Sequence, residues 1–519
     1  MRLYEKLDRL ETSDWVPFHM PGHKRNAAFS WALPFGRDIT EIEGFDNLHH
    51  PREVLLSSQQ ELARQVGARR SFFLVNGSTA GILMALSAAV KKGGRILMAR
   101  GCHKAAYHGV LLRDLRPVYL PAEVGDYGLN LDIKPEEVER KLISCPDIEA
   151  VFLTSPTYDG VVSDIRSVAE LCHQRNIPLI VDEAHGAHLR FSTYFPSSAV
   201  EAGADVVIQS FHKTLPALTQ SAVLHLCSDL VEEEKLCFFS NVYQTSSPSY
   251  LLLESLDRCV EYGKVRAWED FEAYVKILDW ARGEIEKMPG ISLLTPKDCF
   301  AFDRSKLLLS ASSLGIGGGE LMRLLREDHI ELEMETEEYC LALSSVGDTK
   351  ENFERLIGSL KRISGQYGGS EEDREKKRKS LEEKKRKKKE ESDKKIIEKE
   401  NKEKREEEKI EKENENREEK IEKENEKRTK ITLPRQVLPL GEAYEGKVKK
   451  VSWEEAAGLV SADFAYLYPP GIPLVVPGEV FEEALLEEMK RYKSEGRELH
   501  GLRDEDGEYL WVVEESGLV

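Results

Sequence analysis

Three short apolar runs, each broken off at once by polar residues, limit this chain more than any other feature. They are AVFLT (residues 150–154), PLIV (178–181) and DVVIQ (205–209), followed directly by SPTYDG, DEAHGAH and SFHK. Aliphatic and β-branched runs without polar alternation belong to strands covered on both faces, as in a parallel sheet. Amphipathic stretches separate them, and the alternation between about residues 70 and 230 has the form of βα units. A ligand of such a sheet lies beyond the carboxyl ends of its strands, so the three polar segments are where chemistry is sought.

Each candidate residue has a functional and an ordinary reading. The segment FFLVNGSTAGILMALSAAV (72–90) reads as a strand, a tight turn at Gly77 and a helix starting near Ser78 or Thr79. Free N–H groups and the positive dipole end of a helix start bind phosphate, although Ser or Thr there also serves as a plain N-cap. Asp182 stands at the carboxyl edge of the sheet, where a desolvated carboxylate needs a cation. A protonated pyridine nitrogen is one such cation; a helix cap or an arginine partner is the ordinary alternative. Lys213 follows the third run, where partial desolvation lowers an amine's pKa and favours imine formation, yet a lysine taken alone is usually a surface charge.

Composition narrows the classes. With 519 residues the chain is long enough for about three folded units at roughly 150 residues each. The formal net charge of -19 argues against a nucleic-acid surface and is compatible with a cationic substrate. The 8 cysteines form no C-x-x-C pair, which fits reduced thiols in a cytosol. MRLYEKLDRL lacks the apolar stretch of a signal peptide and no run approaches bilayer-spanning length, so a cytoplasmic protein with no membrane partner is expected. His19 and His23 flank a Pro-Gly turn with no Cys or carboxylate in step, and no metal is expected.

The organisation expected is an N-terminal arm (1–50), a large α/β unit (51–261), a smaller α+β unit (262–365), a charged segment (366–431) and a C-terminal unit (432–519). The smaller unit is read from an amphipathic helix over 268–288 and strands near 305–310 and 340–344; GIGGG (315–319) reads as a flexible loop, not a dinucleotide fingerprint. The charged segment is nearly all Glu, Lys, Arg and Asn, with IEKEN recurring at Ile397, Ile410 and Ile421. Its apolar residues are too sparse for a coiled-coil seam, so it reads as a solvated helix or linker, with a docking helix as the alternative. YPPGIPLVVPGE (468–479) returns to normal composition, with prolines and glycines that fix turns.

In order along the chain, PFHMPGHKR, EIEGFDNLHHP, NGSTAG, CHKA, TSPTYDG, DEAHGAH, SFHKTLPALTQ, QTSSPSY and YPPGIP resemble the Orn/Lys/Arg decarboxylases, within them the short Gram-positive arginine or lysine type. The resemblance spans nearly the whole chain. It implies an α/β fold of the pyridoxal-phosphate transferase type (fold type I): a large domain with a mostly parallel sheet, a smaller α+β domain and a C-terminal α+β domain after the charged insertion. It implies pyridoxal 5'-phosphate as cofactor, with Lys213 as the Schiff-base lysine, Asp182 as partner of the pyridine nitrogen, His103 stacked on the ring and Ala184 on its opposite face. Gly77, Ser78, Thr79, His185, Ser210 and His212 complete the implied pocket. Thr245 and Ser246, in QTSSPSY, would reach the cofactor from a partner subunit, which implies a homodimer or higher homo-oligomer.

The reaction so implied is decarboxylation of a basic amino acid, arginine first, then lysine or ornithine, through a quinonoid intermediate, with the cofactor as electron sink. Lys213 or His212 returns the proton to Cα. Another enzyme of the same fold, such as an aminotransferase, needs the same lysine and aspartate; a non-catalytic interaction protein using the charged segment is the reading from a different class. Glu41, Glu43, Asp46, Glu333, Glu335 and Glu479 are candidates to read the substrate's cationic head, with Glu479 first because it closes a motif.

Overall fold

The computed structural model describes residues 13–18, 22, 24, 26, 39–41, 44–368 and 434–514, apart from 470, 495 and 505. His19, His23, Glu43 and the charged segment beyond 368 lie outside the described residues.

Seven strands form the central sheet: Arg70–Leu74 (β1), Arg95–Ala99 (β2), Arg116–Leu120 (β3), Ile148–Thr154 (β4), Leu179–Asp182 (β5), Val206–Gln209 (β6) and Ala222–Leu226 (β7). Their order is β1-β7-β6-β5-β4-β2-β3, and only β7 runs against its neighbours. The apolar runs are continuous because both faces are covered. Ile180, Val206 and Ile208 pack with Leu74, Ile82 and Leu86 on one side. Leu179, Val181 and Val207, offset by the two-residue period, pack with Ile165, Val168 and Cys172 on the other.

Helix α1 (Gly77–Ala89) follows β1 and helix α2 (Lys104–Arg113) follows β2. The turn into α1 needs glycine: Gly77 has φ +70°, and its N–H donates to the Gln220 carbonyl at 3.0 Å. The helix begins at this glycine, one residue before the expected Ser78.

The second unit carries an antiparallel sheet of Ser292–Leu294 (β8), Lys306–Ser310 (β9), Met334–Glu335 (β10) and Cys340–Leu343 (β11), ordered β8-β9-β11-β10. Helices Ala267–Glu286, Gly318–Glu327 and Lys350–Tyr367 accompany it, so it is α+β as expected. GIGGG is not all loop. Gly318 opens a helix, and a Cβ there would sit 2.2 Å from the Tyr339 carbonyl oxygen, so only glycine lets the helix start against that backbone.

The C-terminal residues pair Val448–Val451 with Leu510–Val513 and pack helix Glu483–Ser494 around Trp453, Phe481 and Met489. Leu440, Phe464 and Val476 join the core that contains Tyr107 and Val110 of α2, which seats this unit on the large one.

Candidate active site

The carboxyl ends of β4, β5 and β6 open into a cavity of about 500 Å³. Gly77, Ser78, Thr79, His103, Asp182, Ala184, His185, Ser210, His212 and Lys213 all line it. Residues spread over more than a hundred positions meet there because parallel strands deliver their following loops to one edge.

One part of the lining is built for an anion. Ser78 Oγ lies 2.5 Å from Ser210 Oγ, bringing the start of α1 against the loop after β6. The free N–H groups of a 13-residue helix face the same place. Thr154 Oγ1, at the end of β4, is buried in the lining and has no hydrogen-bond partner among the described residues.

Another part is built for a cation beside an amine. Asp182 is 3% exposed, and its Oδ1 accepts the Ala184 N–H at 3.1 Å. Burial pushes its carboxyl up from the ordinary carboxylate range, and Lys213 pulls it back. Lys213 Nζ lies 3.1 Å from His185 Nε2. Burial lowers the Lys213 amine, with Asp182 and then Glu333 opposing. Desolvation is thus the leading influence on both groups, as the sequence position suggested.

The two histidines flanking this centre have fixed protons. His103 caps α2: its Nδ1 accepts the Ala105 N–H at 3.2 Å, so a neutral ring carries its proton on Nε2. Burial, then Lys213, push its pKa down to about 3. Gly471 from the C-terminal unit packs on that ring edge, and a Cβ there would be 3.3 Å from Nε2. His212 Nδ1 lies 3.0 Å from the Ser221 carbonyl oxygen and donates its proton there, which leaves Nε2 as an acceptor in the neutral ring.

Not every expected residue gathers here. Thr245 and Ser246 are exposed and do not line the cavity of their own chain; the Thr245 carbonyl bonds His49 Nε2 at 2.8 Å. Of the acidic candidates for the substrate head among the described residues, only Glu333 lines the cavity. Glu479 is a correction: it is fully buried, its Oε2 accepts from Arg100 Nη2 at 3.0 Å and from the Val476 N–H at 2.9 Å, and it is absent from the lining. A buried guanidinium demands a carboxylate, and that demand explains Glu479 without a substrate. Asp46 accepts the N–H groups of Asn47, Arg52, Glu53 and Leu55 before helix Val54–Val66, so it is a cap. Glu335 is exposed on β10, and neither it nor Glu41 lines the cavity.

Sequence reasoning left several lining residues without a role. Tyr158 donates to Glu333 Oε1 and stands edge-on to the His185 ring, with centroids 4.9 Å apart. Its place in TSPTYDG was its one signal. Tyr468 and Ile472 close the cavity from the C-terminal unit. Lys306 lies behind His185, with Nζ 3.1 Å from Nδ1.

The donor set suits pyridoxal phosphate: a desolvated amine, a buried carboxylate for a protonated ring nitrogen, an imidazole, a helix start with two hydroxyls for phosphate, and an unpartnered Thr154 hydroxyl on the strand beside Asp182. A profile described as Orn/Lys/Arg decarboxylase, major domain, matches residues 2–298, and one for the C-terminal domain of the same family matches residues 424–513. The chain is 28% identical to an arginine decarboxylase of Bacillus subtilis (strain 168), covering 99% of this chain and 98% of that one. It is 22% identical to a lysine decarboxylase of Pseudomonas aeruginosa over 94% of this chain and 76% of that one. Among solved structures, lysine decarboxylase A from Pseudomonas aeruginosa superposes with a TM-score of 0.70 at 18% identity, covering 98% of this chain and 81% of that one. The Francisella novicida lysine decarboxylase gives a TM-score of 0.69 at 19% identity over 93% and 74%.

Proposed function

Because this chain belongs to the Orn/Lys/Arg decarboxylase family and is a pyridoxal-phosphate-dependent decarboxylase, we propose that its substrate is arginine and that Lys213 is the lysine that carries the cofactor. The observation that carries the reading is the cavity itself, where the desolvated Lys213 amine, Asp182 and His103 share a lining with Glu333. Among the described residues, Glu333 and Asp182 are the two carboxylates of that lining.

Bound there, pyridoxal phosphate supplies an electron sink for the pair released when the bond from Cα to the carboxylate breaks. Asp182 would hold a proton on the ring nitrogen by its negative charge. Ser78, Thr79, Ser210 and the N–H groups of α1 would hold the phosphate, and His103 and Ala184 would contact the ring. Lys213 Nζ returns the proton to Cα; it suits that task better than His212, whose Nδ1 proton goes to the Ser221 carbonyl and whose Nε2 accepts. Tyr468 and Ile472 restrict water at the mouth.

Glu333, held by the Tyr158 hydroxyl, reads the cationic head group. A planar carboxylate matches a guanidinium with two parallel hydrogen bonds, which an ammonium cannot form. The full-length relative named arginine decarboxylase supports the same choice over lysine and ornithine. The exposed Thr245 and Ser246 are proposed to enter the cavity of a second copy in a homodimer. The division at residues 50, 261, 365 and 431 and a cytoplasmic location belong to the same proposal; among the described residues no helix is long and apolar enough to cross a membrane.

Incubation of the holoenzyme with arginine, lysine or ornithine and no keto-acid acceptor tests the reading. Carbon dioxide and agmatine should form fastest from arginine, and Glu333→Gln should raise KM for arginine by about 10- to 100-fold, the worth of one charged hydrogen bond. Turnover that requires a keto acid would identify an aminotransferase, and preferred turnover of lysine would overturn the substrate assignment.

A further inference from the structure

None of the described residues of PFHMPGHKR (17–25) lines the cavity, yet Gly22 touches the turn that carries Lys213. The Gly22 N–H donates to the His212 carbonyl at 2.5 Å, in the peptide group that leads into Lys213. The Gly22 carbonyl accepts from Ser345 Oγ in the smaller unit. Through its two backbone groups one residue thus joins the Lys213 turn to the other unit.

Glycine is required here by contact and not by backbone angle. Gly22 is not among the glycines with positive φ. A Cβ on it would lie 2.8 Å from the Thr214 carbonyl carbon and 2.9 Å from both the Leu215 nitrogen and the Leu215 oxygen. These are backbone atoms, so no side-chain rotation makes room. Either the turn Phe211–Thr214 or the arm must retreat until 2.8 Å becomes the 3.4 Å of ordinary contact.

The arm is the firmer of the two. Lys24 Nζ donates to the Leu343 carbonyl at 2.7 Å, and Asn26 Nδ2 donates to the Gly347 carbonyl at 2.8 Å. Ser345 is itself fixed, its N–H donating to Asp348 Oδ2 at 2.8 Å and its Oγ accepting the Gly347 N–H at 3.1 Å. Earlier in the arm, Val16–Phe18 pairs in parallel with Ile330–Leu332, the residues directly before Glu333. The bonds that tie the turn to its own unit are longer. The His212 N–H and Nδ1 reach the Ser221 carbonyl at 3.3 and 3.0 Å, and the Lys213 N–H reaches the Ser210 carbonyl at 3.2 Å.

We propose that Gly22 is a positioning residue for Lys213: anchored on the smaller unit, it sets where the Lys213 turn rests, so that Nζ meets the cofactor aldehyde. In that step Nζ adds to the aldehyde carbon, a C=N bond replaces C=O, and water leaves. Ser78, Thr79 and the start of α1, which belong to a different element, hold the phosphate end. Gly22 therefore bears on imine formation more than on the hold of the phosphate.

This inference rests on Lys213 being the cofactor lysine. Full-length protein stripped of cofactor is titrated with pyridoxal 5'-phosphate and with pyridoxine 5'-phosphate, whose alcohol forms no imine. Gly22→Ala should lower the affinity for the aldehyde relative to the alcohol by roughly tenfold, since a displacement of about 1 Å costs about 100-fold and this one is smaller. Ser345→Ala removes one anchoring bond without adding bulk and should lower the same ratio by roughly fivefold. It decides the matter if Gly22→Ala does not fold. An unchanged ratio, whether neither affinity moves or both fall in step, overturns the proposal. Failure of the cofactor assignment is read separately: borohydride would then fix the cofactor of the wild-type protein on a lysine other than Lys213.

Discussion

Replacing Glu479 by leucine would strand Arg100. The guanidinium is buried between the large unit and the C-terminal unit, donating to the Tyr107 hydroxyl at 2.9 Å, the Pro473 carbonyl at 2.8 Å and the Leu474 carbonyl at 3.1 Å. All three are neutral, and Glu479 is its charged partner. Leucine is comparable in size but leaves a buried charge uncompensated, a loss of about 3–5 kcal/mol. Arg100 keeps its charge in either case, since its pKa lies far above neutrality. At about 1.4 kcal/mol per decade the open population of residues 464–480 should rise by roughly 100-fold or more. Hydrogen exchange of the full-length protein, read by mass spectrometry on peptides from that stretch with β2 as internal reference, measures it directly. Exchange of those peptides within twofold of wild type would refute the interface argument. If Glu479 instead read the substrate head, KM for the basic amino acid would rise while exchange stayed unchanged.

Two further outcomes follow from the wall that the C-terminal unit and α2 build together. Gly471 has φ +81° and abuts His103, so Gly471→Ala should cost about 1 kcal/mol and weaken cofactor retention roughly fivefold in a fluorescence titration; unchanged retention would contradict the contact. His103 is depressed from 6.5 to about 3 in the folded protein. Its contribution to stability is therefore present above pH 6.5 and lost as pH falls toward 3. Compared with His103→Asn, which keeps a cap for the Ala105 N–H, cofactor-stripped wild type should lose urea resistance over that interval; a difference independent of pH would refute the assignment.

What could be read in advance depended on chain order. Asp182 and Lys213 were legible because Asp182 follows one apolar run directly and Lys213 lies in the short polar segment SFHK after another, and parallel pairing of β4, β5 and β6 then places both at one edge. The turn at Gly77 was legible because asparagine-glycine after an apolar strand leaves few conformations. Lys306 was not, since a lysine before LLLS reads as a solvated strand start, and only the packing of the smaller unit against the loop after β5 buries it. Tyr158 and Glu333 come from separate units, and nothing local marks them as a pair. Glu479 misled for the opposite reason: its motif is tied to Arg100, whose partner lies 379 positions away. Local pattern fixes which strand ends line the cavity, while the far wall depends on contacts between units.

The central claim is that Lys213 carries the cofactor. Reduction of the holoenzyme with borohydride, followed by digestion and mass spectrometry, reports it most directly. The account predicts a pyridoxyl group on the peptide containing Lys213, and loss of that label together with the cofactor absorption band in Lys213→Ala. Label on Lys306 or Lys104, or a Lys213→Ala protein with an unchanged absorption band, would contradict it.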